Sequence, residues 1–158
     1  MQQSSYRSLF VLLCFPAILI GLAARMDARE PRTAVALQGL VNALRTQLGI
    51  ETVVSAEIVA TNALLVSVQP VDGSAGTFRM TFDERFMTTL DEDELKAIVA
   101  HELGHVWIFT HHPYLQTELL ANTVAMRAVP RASLERVYSK VWEREGTKGD
   151  LARFLGPQ

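Results

Sequence analysis

The chain has 158 residues, 20% of them charged, and a formal net charge of −2 at pH 7. A near-neutral chain lacks the basic surface that nucleic-acid binding requires, so we predict no nucleic-acid partner. The single cysteine, Cys14, excludes a disulfide-stabilised scaffold, and the length gives room for one hydrophobic core.

The N-terminal segment is typical of an export signal. Arg7 precedes an almost unbroken apolar run from Leu9 to Ala24, which ends in small residues. As a helix, these roughly 16 residues would measure about 24 Å, which is short for a hydrocarbon core of about 30 Å. Pro16 also interrupts the run. The pattern therefore favours a cleaved signal over a permanent membrane span.

This segment also predicts the domain organisation and the location of the protein. We expect residues 1–24 to be a signal peptide or an N-terminal membrane anchor, and residues 25–158 to form one domain. The protein is then exported, either periplasmic or secreted. If residues 9–24 are retained, they associate it with a membrane.

A helix and three strands are predicted next. Thr33 to Leu48 carries apolar residues at helical spacing and is followed by Gly49, a residue that favours helix termination. β-branched residues then predict three strands, at Thr52 to Ala60, Ala63 to Gln69 and Thr77 to Phe82. With Thr61-Asn62 and the 70–76 loop as the turns, we expect a small antiparallel three-stranded sheet covered by helices, an α+β fold.

The sequence from Leu90 to Leu95 predicts a well-defined helix start. Asp91 occupies the N-cap and Glu94 the N3 position, which is a capping box, and the flanking leucines can form a hydrophobic staple. Acidic residues fill the first turn, where the helix dipole favours them. Apolar residues continue at helical spacing, so we expect a half-buried helix.

This helix carries His101-Glu102-Leu103-Gly104-His105. Two histidines at positions i and i+4 share one helix face and can bind the same zinc ion. Glu102, one residue round the helix, can take a proton from the attacking water. The motif predicts Zn²⁺ as the cofactor, with His101 and His105 as ligands and Glu102 as the catalytic base.

A catalytic zinc takes three protein ligands plus a water, so a third ligand is needed. His111 occupies the position of the third histidine in the pattern H-E-x-x-H-x-x-G-x-x-H. However, Ile108 replaces the glycine of that pattern, and a β-branched residue disfavours the sharp turn required there. We expect His111 and His112 to end the helix before Pro113.

The alternative third ligand is Glu118. It lies in a second predicted helix, from Thr117 to about Val129, together with Asn122 at i+4. One of these side chains can bind the metal while the other hydrogen-bonds a ligand histidine and fixes its tautomer. We favour Glu118 over His111 as the metal ligand.

Beyond Pro130, the chain predicts one further long helix. Ser133 is a candidate N-cap for a helix from Leu134 to about Glu145, whose apolar and aromatic stripe we expect to close the core. Leu151 to Leu155 can form a last short turn.

At these motifs the chain resembles the gluzincin metallopeptidases. In that group the H-E-x-x-H helix is followed by a "Glu helix" with an E-x-x-A-[DN] element, which here is Glu118-Leu119-Leu120-Ala121-Asn122. The run from Leu90 to His105 looks especially like the HtpX-like peptidases and the compact minigluzincins. The separation of His105 and Glu118 is shorter than in the large membrane members, and Asn122 replaces the commoner Asp.

The resemblance implies a zincin-like fold, in which His101, His105 and Glu118 ligate Zn²⁺ and an edge strand binds an extended peptide. In many gluzincins a downstream Tyr or His stabilises the oxyanion. Tyr114 and His112 are the nearest residues of these types here. Asn122 is the candidate hydrogen-bond partner of a ligand histidine.

We therefore predict a zinc-dependent endopeptidase of gluzincin type that acts on peptides or proteins. The alternative is a zinc-binding interaction or regulatory module of zincin fold with little or no peptidase activity. The two hypotheses differ in whether Glu102 has a catalytic role.

Overall fold

The computed structural model describes residues 33–73 and 76–157. The predicted signal peptide or anchor at residues 1–24 therefore lies outside the described residues. Within the described ranges, every helix is too short or too polar to cross a bilayer.

The first helix, α1 (Ala34–Gln47), begins and ends as its sequence predicts. The Thr33 side chain accepts a hydrogen bond from the backbone N–H of Ala36 at 3.1 Å, so Thr33 is the N-cap. Gly49 follows the helix with φ of 69°, a left-handed conformation in which glycine has no steric penalty.

The sheet contains three strands, β1 (Val53–Val59), β2 (Val66–Pro70) and β3 (Thr77–Asp83). Their order is β1-β3-β2, with β3 in the centre. β2 pairs with β3 antiparallel, whereas β1 pairs with β3 parallel. The predicted three-stranded α+β architecture is correct, but the predicted all-antiparallel pairing is wrong, because the sheet is mixed.

The connection between β1 and β2 explains this strand order. Thr61-Asn62 does not form a tight hairpin; residues 60–65 instead cross the carboxyl end of β3. Asn62 donates from its backbone N–H to Asp83 Oδ2 at 3.2 Å and from its side chain to the Thr81 carbonyl at 3.1 Å. The Asp83 N–H donates to the Leu65 carbonyl at 2.7 Å. These bonds carry the chain past β3 and place β2 on its far side.

The remaining elements are helical. They are α2 (Glu84–Thr89), α3 (Glu92–His111), a 3-10 turn (Pro113–Leu115), α4 (Glu118–Ala125), α5 (Arg131–Glu145) and α6 (Leu151–Leu155). α2 was not predicted; it is capped by the Asp83 side chain, which accepts from the Phe86 N–H at 2.8 Å. Pro130, not Ser133, occupies the N-cap of α5, and Ser133 is buried inside that helix.

Helix α3 is the central element of the fold. It packs against α1, β2, α4 and α5, and its residues Val99, Leu103 and Val106 have no exposed surface. Burial on several sides fixes both the position and the rotation of this helix. The face that carries the histidines is thereby directed toward β2, α4 and α5.

Candidate metal centre

The start of α3 is set by the predicted capping box. The Asp91 side chain accepts from the Glu94 N–H at 2.8 Å, and the Glu94 carboxylate accepts from the Asp91 N–H at 2.6 Å. Lys140 of α5 also donates to the buried Glu94 carboxylate at 2.6 Å. The N-terminal end of α3 is therefore tied to α5 before the helix reaches its histidines.

Three candidate ligand side chains converge where α3 meets α4. The Nε2 atoms of His101 and His105 lie 3.2 Å apart. Glu118 places Oε2 at 3.3 Å from His101 Nε2 and Oε1 at 3.4 Å from His105 Nε2. A helix start with Thr117 as N-cap directs Glu118 across from the two histidines.

These distances fit a zinc ion. Tetrahedral zinc has bonds of about 2.0–2.1 Å to nitrogen and oxygen, so its ligand atoms lie roughly 3.3–3.4 Å apart. Two imidazoles and one carboxylate are also ligands that zinc prefers. The three side chains therefore form a suitable set of zinc ligands.

In each imidazole, the ring nitrogen that faces away from the metal position contacts an amide oxygen. His101 Nδ1 lies 2.8 Å from Asn122 Oδ1, and His105 Nδ1 lies 3.1 Å from Gln116 Oε1. An amide oxygen only accepts hydrogen bonds, so each Nδ1 carries a proton, and Nε2 is the ring nitrogen left to bind a metal. Gln116 was missed in the sequence, where it is an isolated amide in a short connection.

The pKa values of Glu118 and His105 are shifted by the contacts between these side chains. Hydrogen bonds from His101 and His105 hold the pKa of the Glu118 carboxyl well below its usual range. Burial lowers the pKa of His105, but the hydrogen bonds to Glu118 and Gln116 outweigh burial and raise it overall. The carboxylate is therefore ionised and ready to ligate a cation.

Glu102 lies beside these ligands with only 8% of its surface exposed. Burial raises the pKa of its carboxyl, and a hydrogen bond from the Val68 backbone of β2 partly opposes that effect. Glu102, His101, His105 and Glu118 all line one cavity of about 390 Å³ between β2 and α5. A buried carboxylate next to the metal position is a stronger base than one in water.

Tyr114 and His112, the predicted oxyanion-stabilising residues, are not among the described residues that line this cavity. Tyr114 is 98% exposed, and His112 is the C-cap of α3, where it packs against Trp107. His111 stacks on Trp107 with ring centroids 4.5 Å apart. The fold therefore places all three residues at the C-terminal end of α3 or just beyond it.

Tyr138 of α5 does line the cavity. Its hydroxyl lies 3.2 Å from Glu118 Oε2 and 2.7 Å from Asn122 Nδ2. In the sequence Tyr138 belongs to an apolar and aromatic stripe typical of core packing, which gave no sign of this contact.

Comparison with known proteins agrees with the geometry. The family model described as Peptidase family M48 matches residues 28–154. This chain belongs to peptidase family M48. Members of this family are zinc-dependent metallopeptidases, so the chain is a metalloprotease, and the predicted resemblance to compact gluzincin-type peptidases is confirmed.

A solved structure shares the fold of this chain. The chain is similar to the metallopeptidase zymogen of Pyrococcus abyssi abylysin, with 18% identity and a TM-score of 0.50. The match covers 72% of this chain and 99% of that chain. No curated protein matches. At this identity the likeness is evidence for a shared metallopeptidase fold.

Proposed function

We propose that this protein is a zinc-dependent endopeptidase in which His101, His105 and Glu118 hold the ion and Glu102 is the general base. The observation that carries the proposal is that the ligand atoms of His101, His105 and Glu118 approach one another pairwise to 3.2–3.4 Å, with a different Glu118 carboxylate oxygen facing each histidine. These spacings match those required by tetrahedral zinc.

The chemistry is divided between the ion and Glu102. When bound, zinc polarises the scissile carbonyl and lowers the pKa of the attacking water. Glu102 accepts the proton of that water and then transfers it to the leaving amine. Its burial supports this role, because a carboxylate with little solvent around it binds a proton more readily.

The peptide is proposed to bind along β2. Val66, Ser67 and Val68 of this strand line the cavity next to Glu102. Backbone bonds to β3 at Leu65 and Val71 bracket the strand, so by two-residue alternation the backbone groups of Val66 and Val68 point away from β3. The Val68 N–H on this edge bonds to Glu102. An extended peptide can add to this edge as a further strand, which places an internal peptide bond near the metal position.

The other edge strand, β1, is partly covered. Gln38 of α1 accepts from the Ala56 N–H at 2.8 Å and donates to the Val54 carbonyl at 2.9 Å. These are two of the backbone groups with which a peptide would pair on that edge. Only β2 therefore combines an edge position with proximity to Glu102 among the described strands.

We also propose that the enzyme acts outside the cytoplasm. This proposal rests on the apolar segment at residues 9–24, which is typical of a signal peptide or anchor. Expression of the full chain in a bacterial host, followed by fractionation and N-terminal sequencing, tests it. Export with a new N-terminus near Ala24 supports a signal peptide, export with the segment retained supports an anchor, and an uncleaved cytoplasmic protein contradicts both.

Zinc content and hydrolysis of an unfolded protein test the catalytic proposal. We expect the wild type to bind about one zinc per chain and to cleave casein at internal bonds. Glu102→Gln should keep the zinc and lose roughly 10²–10⁴-fold in kcat/KM, because general-base catalysis is lost. Glu92→Gln, an exposed change at the start of the same helix, is the matched control and should behave as wild type.

Two outcomes would contradict the proposal. A wild-type chain with a full complement of zinc and no cleavage would favour a zinc-binding module. Cleavage that survives Glu102→Gln would remove Glu102 from the mechanism.

A further inference from the structure

Asn122 and Tyr138 link two of the candidate metal ligands through a continuous set of hydrogen bonds. Asn122 Oδ1 lies 2.8 Å from His101 Nδ1, and Asn122 Nδ2 lies 2.7 Å from the Tyr138 hydroxyl. The same hydroxyl lies 3.2 Å from Glu118 Oε2. One path therefore connects a histidine of α3 to the carboxylate of α4 by way of α5.

The chemistry of the groups fixes the direction of every bond. The amide oxygen of Asn122 accepts from His101, so its nitrogen must be the donor toward Tyr138. Because the Tyr138 oxygen accepts this bond, its own hydrogen is free to be donated to Glu118. Each hydrogen bond thus fixes the orientation of the next group in the path. In the resulting arrangement, His101 Nε2 and the Glu118 carboxylate face the metal position.

Packing holds this arrangement in place. Asn122 is fully buried, and its Nδ2 also donates to the Phe154 carbonyl of α6 at 2.9 Å. The Tyr138 ring packs against Phe154 and Trp142, with centroids 5.0 and 5.5 Å away. The hydroxyl is therefore fixed in position, whereas the Glu118 side chain is 48% exposed and has freedom to rotate.

We propose that Tyr138 is a positioning residue of the metal centre and that the Asn122 amide is what directs its hydroxyl to Glu118. This inference rests on the proposed function, because it takes Glu118 as a zinc ligand. A carboxylate at position 122 could accept from His101 equally well but could not donate to Tyr138. The hydroxyl of Tyr138 would then donate to residue 122 and release Glu118.

The zinc affinity of the purified full chain, measured by competition with a chelator, tests the inference. Tyr138→Phe keeps the packed ring and removes only the hydroxyl, so we expect a folded protein with zinc affinity roughly 10–100-fold lower. Peptidase activity should recover when excess zinc saturates the variant, since the hydroxyl acts through Glu118. Tyr114→Phe removes a fully exposed hydroxyl and is the matched control, with unchanged zinc affinity.

A second variant tests the role of the amide. Asn122→Asp should weaken zinc binding to a similar degree, and adding Tyr138→Phe to it should have little further effect, because both changes break the same path. Far-UV circular dichroism of the zinc-free proteins shows that each variant is folded. Effects that simply add in the double variant would overturn the inference.

The outcomes separate this inference from the proposed function. If Glu118→Ala binds zinc as tightly as the wild type, the proposed ligand set is wrong. If zinc binding depends on Glu118 but Tyr138→Phe binds zinc normally, only the positioning role is wrong. If Tyr138→Phe binds zinc with normal affinity but still cleaves peptide slowly at saturating zinc, Tyr138 acts on the substrate and the inference is again overturned.

Discussion

Gly104 of α3 lies directly against the backbone of Ala121 in α4. A Cβ added at Gly104 would press on the Ala121 carbonyl oxygen and lie 2.9 Å from both the carbonyl carbon and Cα. These are backbone atoms, so no side chain can rotate away to make room. The glycine inside the histidine motif therefore sets the separation of the two helices, and with it the distance from Glu118 to the histidines.

Gly104→Ala should displace α4 from α3. We expect the free energy of unfolding to fall by about 1–3 kcal/mol, as for other overpacked sites, and zinc affinity to fall because Glu118 moves with α4. Chemical denaturation and chelator competition measure the two effects. Gly39→Ala in α1 is the matched control, since a Cβ there meets nothing within 4 Å. That variant should be neutral or more stable, by up to about 1 kcal/mol.

Glu118→Ala should abolish stoichiometric zinc retention, whereas His111→Ala should not. The imidazole of His111 stacks on Trp107 at 4.5 Å, and its Nδ1 lies 2.9 Å from the Trp107 carbonyl. The ring therefore has a structural role at the end of α3. Metal content after gel filtration measures both variants, and loss of zinc from His111→Ala alone would indicate a three-histidine site.

Gln116→Ala removes the hydrogen-bond acceptor of His105 Nδ1. We expect zinc affinity to fall about 10-fold or more, since the imidazole loses the partner that fixes its tautomer and ring orientation. The thermal midpoint of the zinc-free protein should change little, because Gln116 is exposed. Gln47→Ala, at an exposed position in α1, is the control. An unchanged zinc affinity would show that the Gln116 contact does not orient His105.

Asp83 should make stability depend on pH. The hydrogen bond from the Phe86 N–H, helped by the one from the Asn62 N–H and by the charge of Arg144, holds the pKa of this carboxyl below its usual value of 3.8, although burial opposes the shift. A depressed folded-state pKa stabilises the protein above the unfolded pKa, and this contribution is lost as pH falls through the folded value.

Asp83→Asn is the variant that tests this dependence. The variant should be less stable than wild type near neutral pH, and the difference should shrink below about pH 4, where the Asp83 carboxylate of the unfolded wild type begins to take up a proton while that of the folded protein is still ionised. Urea unfolding at several pH values measures it. A difference that is the same at pH 7 and pH 3 would show that the charge of Asp83 has no part in the effect.

The elements that the sequence predicts correctly depend on interactions between near neighbours. The capping box at Asp91 and Glu94 and the i, i+4 spacing of His101 and His105 are local, so they can be recognised without knowing the fold. The i, i+4 spacing of Glu118 and Asn122 is local in the same way. Local patterns are therefore enough to predict the metal-binding helix, the second helix beside it and the chemistry of their ligands.

The way in which these elements meet depends on contacts between residues far apart in the sequence. The parallel pairing of β1 with β3 depends on Asn62 bonding to residues about 20 positions later, and no local pattern signals that. The contacts of Gln116 with His105 and of Tyr138 with Glu118 likewise join separate elements. Such contacts arise from helix packing, which Gly104 sets at the α3 and α4 crossing, and packing is a property of the whole core.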